Sequence, residues 1–181
     1  MRNRIFPLLA CAAAAAFGQD NPPQPRPRPP AELAELKPFL ASTSCAGETE
    51  ASAVGPAHPT LGQAVGSMSQ SGFWLQLRYV EKKTKDNPLA TSSEERWSYD
   101  PGLKKYVALL WDSFGGYGTG TSPGWEGDTL TWTGEVSMNG QKLPYRQTFT
   151  RAKGAMTETW EMQSNGAWAK LTSGTCKPRG K

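Results

Sequence analysis

The chain has 181 residues, enough for one domain with room for tails, and its seven Trp and mean hydropathy of −0.57 fit a water-soluble body with an aromatic core. The net charge of +4 does not belong to that body: residues 31–176 carry 13 basic and 15 acidic side chains, and the positive excess lies at the two ends. A nucleic-acid-binding domain needs a basic face on its folded part, so that class is not expected.

Residues 1–18 read as a secretory signal peptide. Arg2 and Arg4 form a positive start, Ile5–Ala16 is a largely apolar run, and Ala16-Phe17-Gly18 puts small residues before a cleavage site at Gln19. The apolar run is shorter than the roughly 20 residues of a spanning helix, so no membrane span is expected. A second reading anchors the protein as a lipoprotein. Leu8-Leu9-Ala10-Cys11 looks like a lipobox that would acylate Cys11, although the apolar stretch before it is short and the alanines after it continue the same run. On the first reading the mature protein is periplasmic or secreted.

Residues 19–30 form a Pro-rich spacer holding six of the chain's 15 Pro. Such density removes backbone donors and favours extended polyproline II, so the segment is expected to stay out of any sheet. Ala31–Lys37 then predicts one or two helical turns, with Leu33 and Leu36 on one face and Pro38 as the stop.

Beyond Pro38 the pattern has the period of two that marks half-buried strands. Phe73, Leu75, Leu77 and Tyr79 alternate with Trp74, Gln76, Arg78 and Val80; Leu130, Trp132, Gly134, Val136 and Met138 alternate with Thr129, Thr131, Thr133 and Glu135; and Met156, Glu158, Trp160 and Met162 alternate with Thr157, Thr159, Glu161 and Gln163. Asn139-Gly140 and Asn165-Gly166 are type I′ hairpin dipeptides, and Asp100-Pro101-Gly102 and Ser122-Pro123-Gly124 are turn formers. Eight to ten strands follow, near 40–49, 62–70, 72–83, 90–99, 104–113, 116–122, 128–138, 142–152, 155–164 and 167–176. Short connections without crossover helices predict an all-β, antiparallel up-and-down barrel over residues 31–176, with a basic tail at 177–181. Closure removes the exposed edges.

Cys11 leaves with the leader, which leaves Cys45 and Cys176 in the first and last strands. A closed meander makes those strands neighbours, and an exported protein with two Cys invites a disulfide between them. Two free thiols are the alternative. No metal site is expected, because His58 is the one His and two Cys with one distant His lack zinc-ligand spacing.

The stretches Trp97-Ser98-Tyr99-Asp100-Pro101-Gly102, Lys105-Tyr106-Val107, Trp111-Asp112-Ser113-Phe114-Gly115-Gly116 and Ser122-Pro123-Gly124-Trp125-Glu126-Gly127-Asp128-Thr129-Leu130-Thr131-Trp132 resemble the bacterial family called domain of unknown function 1579. The likeness covers about residues 33–176, and some members share Cys in the first and last strands. It implies a lipocalin-like barrel, distantly similar to haem-binding nitrobindins. Two departures stand out. Ser42-Thr43-Ser44 replaces a Gly-Thr-Trp-like turn, which predicts a differently packed floor, and no His follows His58 to serve as the late-strand haem ligand. Neither haem nor another cofactor is expected. Family and fold alone supply no function.

No nucleophile and base stand in a spacing that names a reaction, so no catalytic residue is assigned. Gly115-Gly116-Tyr117-Gly118-Thr119-Gly120 is not followed by a helix that could hold phosphate, and reads as strand bending. The informative residues are polar ones on apolar faces. Glu158 falls in register with Met156, Trp160 and Met162; Tyr145, Gln147 and Phe149 share a face, as do Glu95, Trp97 and Tyr99. A carboxylate inside a barrel is costly unless paired or hydrated. Glu158 is then either a structural group bonded to Tyr, Trp or water, or the polar anchor of a cavity lined by Trp97, Tyr99, Trp132, Phe149 and Trp160. Two functions fit. One is a binder of a small, partly apolar molecule. The other is an interaction module of the cell envelope with a filled barrel.

Overall fold

The structure, a computed structural model, describes residues 26–52 and 55–179. The leader, Cys11, the cleavage site at Gln19 and the first half of the spacer lie outside the described residues. Arg26–Pro30 form no regular element. Among the described residues no helix is long and apolar enough to cross a membrane.

Among the described residues, eleven strands follow one short helix in chain order: β1 Ser42–Thr49, β2 His58–Ser69, β3 Trp74–Glu81, β4 Ser92–Asp100, β5 Lys105–Asp112, β6 Tyr117–Ser122, β7 Trp125–Glu126, β8 Thr129–Met138, β9 Gln141–Ala152, β10 Ala155–Ser164 and β11 Ala167–Pro178. Each long strand pairs antiparallel with its neighbour in sequence, β6 pairs with β8, and β1 pairs with β11. The result is a closed ten-stranded up-and-down barrel, with the two-residue β7 appended to β8. The outer faces carry ion pairs such as Arg96–Glu94 and Arg146–Glu161.

The turn chemistry explains the short connections. Asn139 and Gly140 both have positive φ (50° and 76°), as do Asn165 and Gly166 (51° and 79°), the pair of left-handed residues a type I′ hairpin requires. Asp100 Oδ1 accepts from the amides of Gly102 (2.8 Å) and Leu103 (3.1 Å) and holds the β4–β5 turn. β11 runs past its expected end, so Lys177 and Pro178 of the predicted basic tail belong to the sheet, opposite Ser44 and Thr43.

The N-terminal helix differs from expectation in kind and length. It is a 3-10 helix over Ala31–Phe39 that continues through Pro38. Three residues per turn place Leu33, Leu36 and Phe39 on one line, and all three are buried. In this helix type the amide of residue 38 would bond the Glu35 carbonyl, and proline has none. The indole of Trp125 donates to that carbonyl instead (3.1 Å), and the Tyr106 hydroxyl donates to Glu32 O (2.8 Å). The helix thereby closes one end of the barrel. Gly66 on β2 allows the close seat: a Cβ there would overlap the Phe39 carbonyl.

The helix sits on an aromatic floor. Phe39 packs edge-on against Trp97 (4.8 Å between centroids) and Phe149 (5.0 Å), and Trp97 lies 4.9 Å from Trp132. Cys45 and Cys176 stand opposite each other in the β1–β11 ladder and are joined, with an S–S distance of 2.05 Å and Cα atoms 4.0 Å apart. This disulfide closes the seam between the first and last strands, and such a bond fits a protein outside the cytoplasm.

Candidate functional site

Above the aromatic floor the barrel is hollow. A cavity of about 430 Å³ opens at the end opposite the helix. Its apolar wall includes Leu77, Leu110, Val136, Met156 and Met162, and the Cys45–Cys176 bridge faces it. Its mouth is formed by the β1–β2, β3–β4 and β5–β6 connections, with Leu89, Phe114 and Tyr117 exposed on the rim. His58 stands at this mouth, at the start of β2, with Nδ1 2.9 Å from the Pro56 carbonyl. Asp112 shapes the rim by accepting from the amides of Phe114 (2.7 Å) and Gly116 (3.0 Å) through one oxygen.

The six residues expected around a single cavity divide. Phe149, Glu158 and Trp160 line it. Trp97, Tyr99 and Trp132 do not: Trp97 and Trp132 are fully buried in the floor, and Tyr99 packs edge-on against Tyr106, 5.3 Å away. Alternation placed all six on inward faces correctly. It could not say at which height along the barrel axis each would sit, nor that Phe39 would fill the lower half.

Two further residues complete the polar centre. Glu95 comes from β4, Glu158 from β10 across the barrel, and Gln147 from β9 lies between them. Gln147 Nε2 donates to Glu95 Oε1 and to Glu158 Oε1, both at 2.8 Å, so a single amide bridges two carboxyl groups. The Trp97 indole donates to the other oxygen of Glu95 at 2.9 Å. The floor tryptophan thus contributes to the site by orienting an acid rather than by lining the cavity. Both Glu95 and Gln147 share apolar faces in the sequence, the same signal that marks Glu158. Pairing across the barrel, which no local pattern reports, is what unites them.

Burial pushes the Glu95 carboxyl up to about 7, helped by the nearby charge of Glu158 and opposed by the hydrogen bonds from Gln147 and Trp97. Burial also raises Glu158, against the bond from Gln147. Among the described residues no lysine or arginine contributes to either shift. Around the acids, Trp160 stacks on Tyr145 with centroids 4.7 Å apart, and Tyr145 reaches inward over Gly120, where a Cβ would overlap its hydroxyl. Among the described residues no group of three His, Cys, Asp or Glu could hold a metal ion.

No protein-family model matches the chain, and no curated protein matches it. Its fold is similar to that of Rv2717c from M. tuberculosis, known from a crystal structure: the TM-score is 0.64 over 84% of this chain and 100% of that one, at 12% identity. A likeness at that identity is one of fold alone.

Proposed function

We propose that this is an exported protein, periplasmic or secreted, that holds a small, partly apolar molecule inside its barrel. The observation that carries the reading is the cavity of about 430 Å³, closed at one end, open at the other, and walled mainly by apolar side chains around one polar centre. Ligand sites commonly fall in a range of roughly 300–1,000 Å³ and have that composition. The rival reading, an interaction module with a filled barrel, draws no support from a hollow interior. Export is supported by the Arg-flanked apolar start of the sequence and by the Cys45–Cys176 bridge. Kinship with domain of unknown function 1579 belongs to the same proposal. Its most specific part, from Trp111–Gly116 to Gly124–Asp128, runs from the rim of the cavity to Trp125, which bonds the helix that closes the floor.

The experiment is native mass spectrometry of the protein purified from its own host. A co-purifying small molecule, released on unfolding, is expected. Protein that arrives bare and takes up no apolar dye would end the binding reading.

A further inference from the structure

The acidic cluster at the centre of the cavity holds acceptor oxygens that no donor among the described residues reaches. Glu95, Glu158 and Gln147 present five side-chain oxygens, and the three hydrogen bonds made among them and Trp97 reach Glu95 Oε1, Glu95 Oε2 and Glu158 Oε1. The Gln147 carbonyl oxygen is buried without a partner, in a side chain only 1% exposed. Glu158 Oε2 receives no bond, and Glu158 forms part of the cavity wall. A buried acceptor left unsatisfied costs roughly 1–3 kcal/mol, so these oxygens favour an occupant that brings donors, while the unpartnered Trp132 Nε1, Tyr145 hydroxyl and Trp160 Nε1 nearby are donors that can meet an acceptor on the same occupant.

Charge points the same way. Two buried carboxyl groups share one neutral bridging amide, and among the described residues no cationic side chain acts on either of them. The five ion pairs among the described residues leave Glu95 and Glu158 out. Burial holds both acids above their ordinary range, so the pair favours keeping a proton over standing as two anions. A ligand that supplied a positive charge would remove that penalty. The surrounding wall suits such a ligand, since it includes the aromatic residues Phe149 and Trp160, a type that attracts cations, and Met156 and Met162 with their polarisable sulfur. Toward the mouth the wall joins apolar Leu77, Leu110 and Val136 to polar Tyr79, Thr91 and Ser93, and Leu89 and Phe114 stand exposed on the rim.

We infer that the cavity selects an amphipathic cation: a primary or secondary ammonium that donates its N–H groups to the Glu95–Gln147–Glu158 centre, with an apolar body running toward the mouth. The inference rests on the binding reading above and adds the charge and donor character of the ligand.

The test uses the full chain with its disulfide intact at neutral pH, and competition against the neutral fluorescent probe N-phenylnaphthylamine. Octylamine, n-octanol and octanoate share one tail and differ only in the head group. Octylamine should displace the probe at about tenfold lower concentration than n-octanol, because charge-assisted bonds are about twice as strong as neutral ones, and octanoate should be the weakest. In Glu158→Gln the advantage of octylamine should shrink to about twofold while the probe still binds. If that variant loses its far-ultraviolet circular dichroism, Glu95→Gln supplies the same reading. Equal displacement by octylamine and n-octanol, or an amine advantage unchanged in both variants, would overturn the cation inference and leave the binding reading standing. Failure of the probe and of all three competitors to bind would sink the binding reading itself, and this inference with it.

Discussion

Two arcs of the barrel wall are held together by different means. The arc of β4, β5, β8 and β9 supplies most of the core, with Trp97, Tyr106, Leu110, Leu130, Trp132, Tyr145 and Phe149 all buried. The arc of β11, β1 and β2 supplies almost none: Cys45 and Ala64 are its only buried residues, and no residue of these strands belongs to the core cluster. Large inward side chains fill space and stabilise by the area they remove from water. Small ones such as Ala64, Thr172 and Gly174 leave space, and that space is the cavity. The thin arc is held instead by its backbone ladder and by one covalent bond at the seam. A barrel can therefore be hollow on one side without falling open, provided something other than packing secures the hollow side.

Each arc has a way of failing that tests this division. The largest effect should come from the seam. Replacing Cys45 and Cys176 by Ala removes a crosslink between residues 131 apart in sequence, worth roughly 5 kcal/mol at most on the chain-entropy model. Urea unfolding monitored by tryptophan fluorescence should show a large drop in midpoint. Matching midpoints for oxidised and reduced protein would show that the thin arc does not depend on the bond.

Truncating the aromatic arc comes next. Trp97→Ala should cost about 3–5 kcal/mol as a buried aromatic leaving a cavity, and it also frees the bond to Glu95. Thr172→Ala on the opposite arc should stay within about 1 kcal/mol. Similar losses at the two positions would erase the distinction between the arcs.

A third prediction concerns pH. The Glu95 carboxyl binds its proton more tightly when folded, at about 7 against an ordinary 4.5. Between those values the native state holds more protons than the unfolded one, so stability falls as pH rises from about 4.5 to 7 and levels off above. The contribution is about 3 kcal/mol at one-unit equivalence of 1.36 kcal/mol. Glu95→Gln should flatten that slope in denaturation curves collected across the range. A variant with the wild-type slope would place the titration elsewhere. The smallest effect is expected at the floor: Tyr106→Phe removes the donor to Glu32 O and Glu35 Oε2 and should cost about 1 kcal/mol, read as a modest fall in melting temperature.

Most strands were legible in the sequence because one inward face demands strict alternation, and the hairpin dipeptides fixed their ends. The failures have local causes. β2 begins at His58, before its expected start near residue 62, and takes in Pro59. Residue 59 pairs only with Glu48 of β1, and β3 reaches no further than Gly62, so no partner on that side needs the missing amide. Pro144 in β9 is tolerated in the same way, facing Glu135 of β8 just beyond the last β10 pair at Tyr145. β7 escaped notice because two residues carry no periodicity. The helix was misjudged at Pro38 because the compensating donor, Trp125, lies 90 residues away in sequence. The site suffered from the same blindness: Glu95, Gln147 and Glu158 each look like isolated polar residues until the ring is closed.

Ring closure also sets an order of events for a chain made from one end. Every other long pairing joins strands adjacent in sequence, or nearly so across β7, and can form as soon as both have emerged. The β1–β11 ladder runs from Thr43 opposite Pro178 to Thr49 opposite Thr172, and it must wait for almost the whole polypeptide. Until then β1 presents a bare edge, and bare edges recruit other chains. A premature stop just before β11 would leave most hairpins intact and still yield a sheet with two unguarded margins, a product suited to aggregation rather than to partial function.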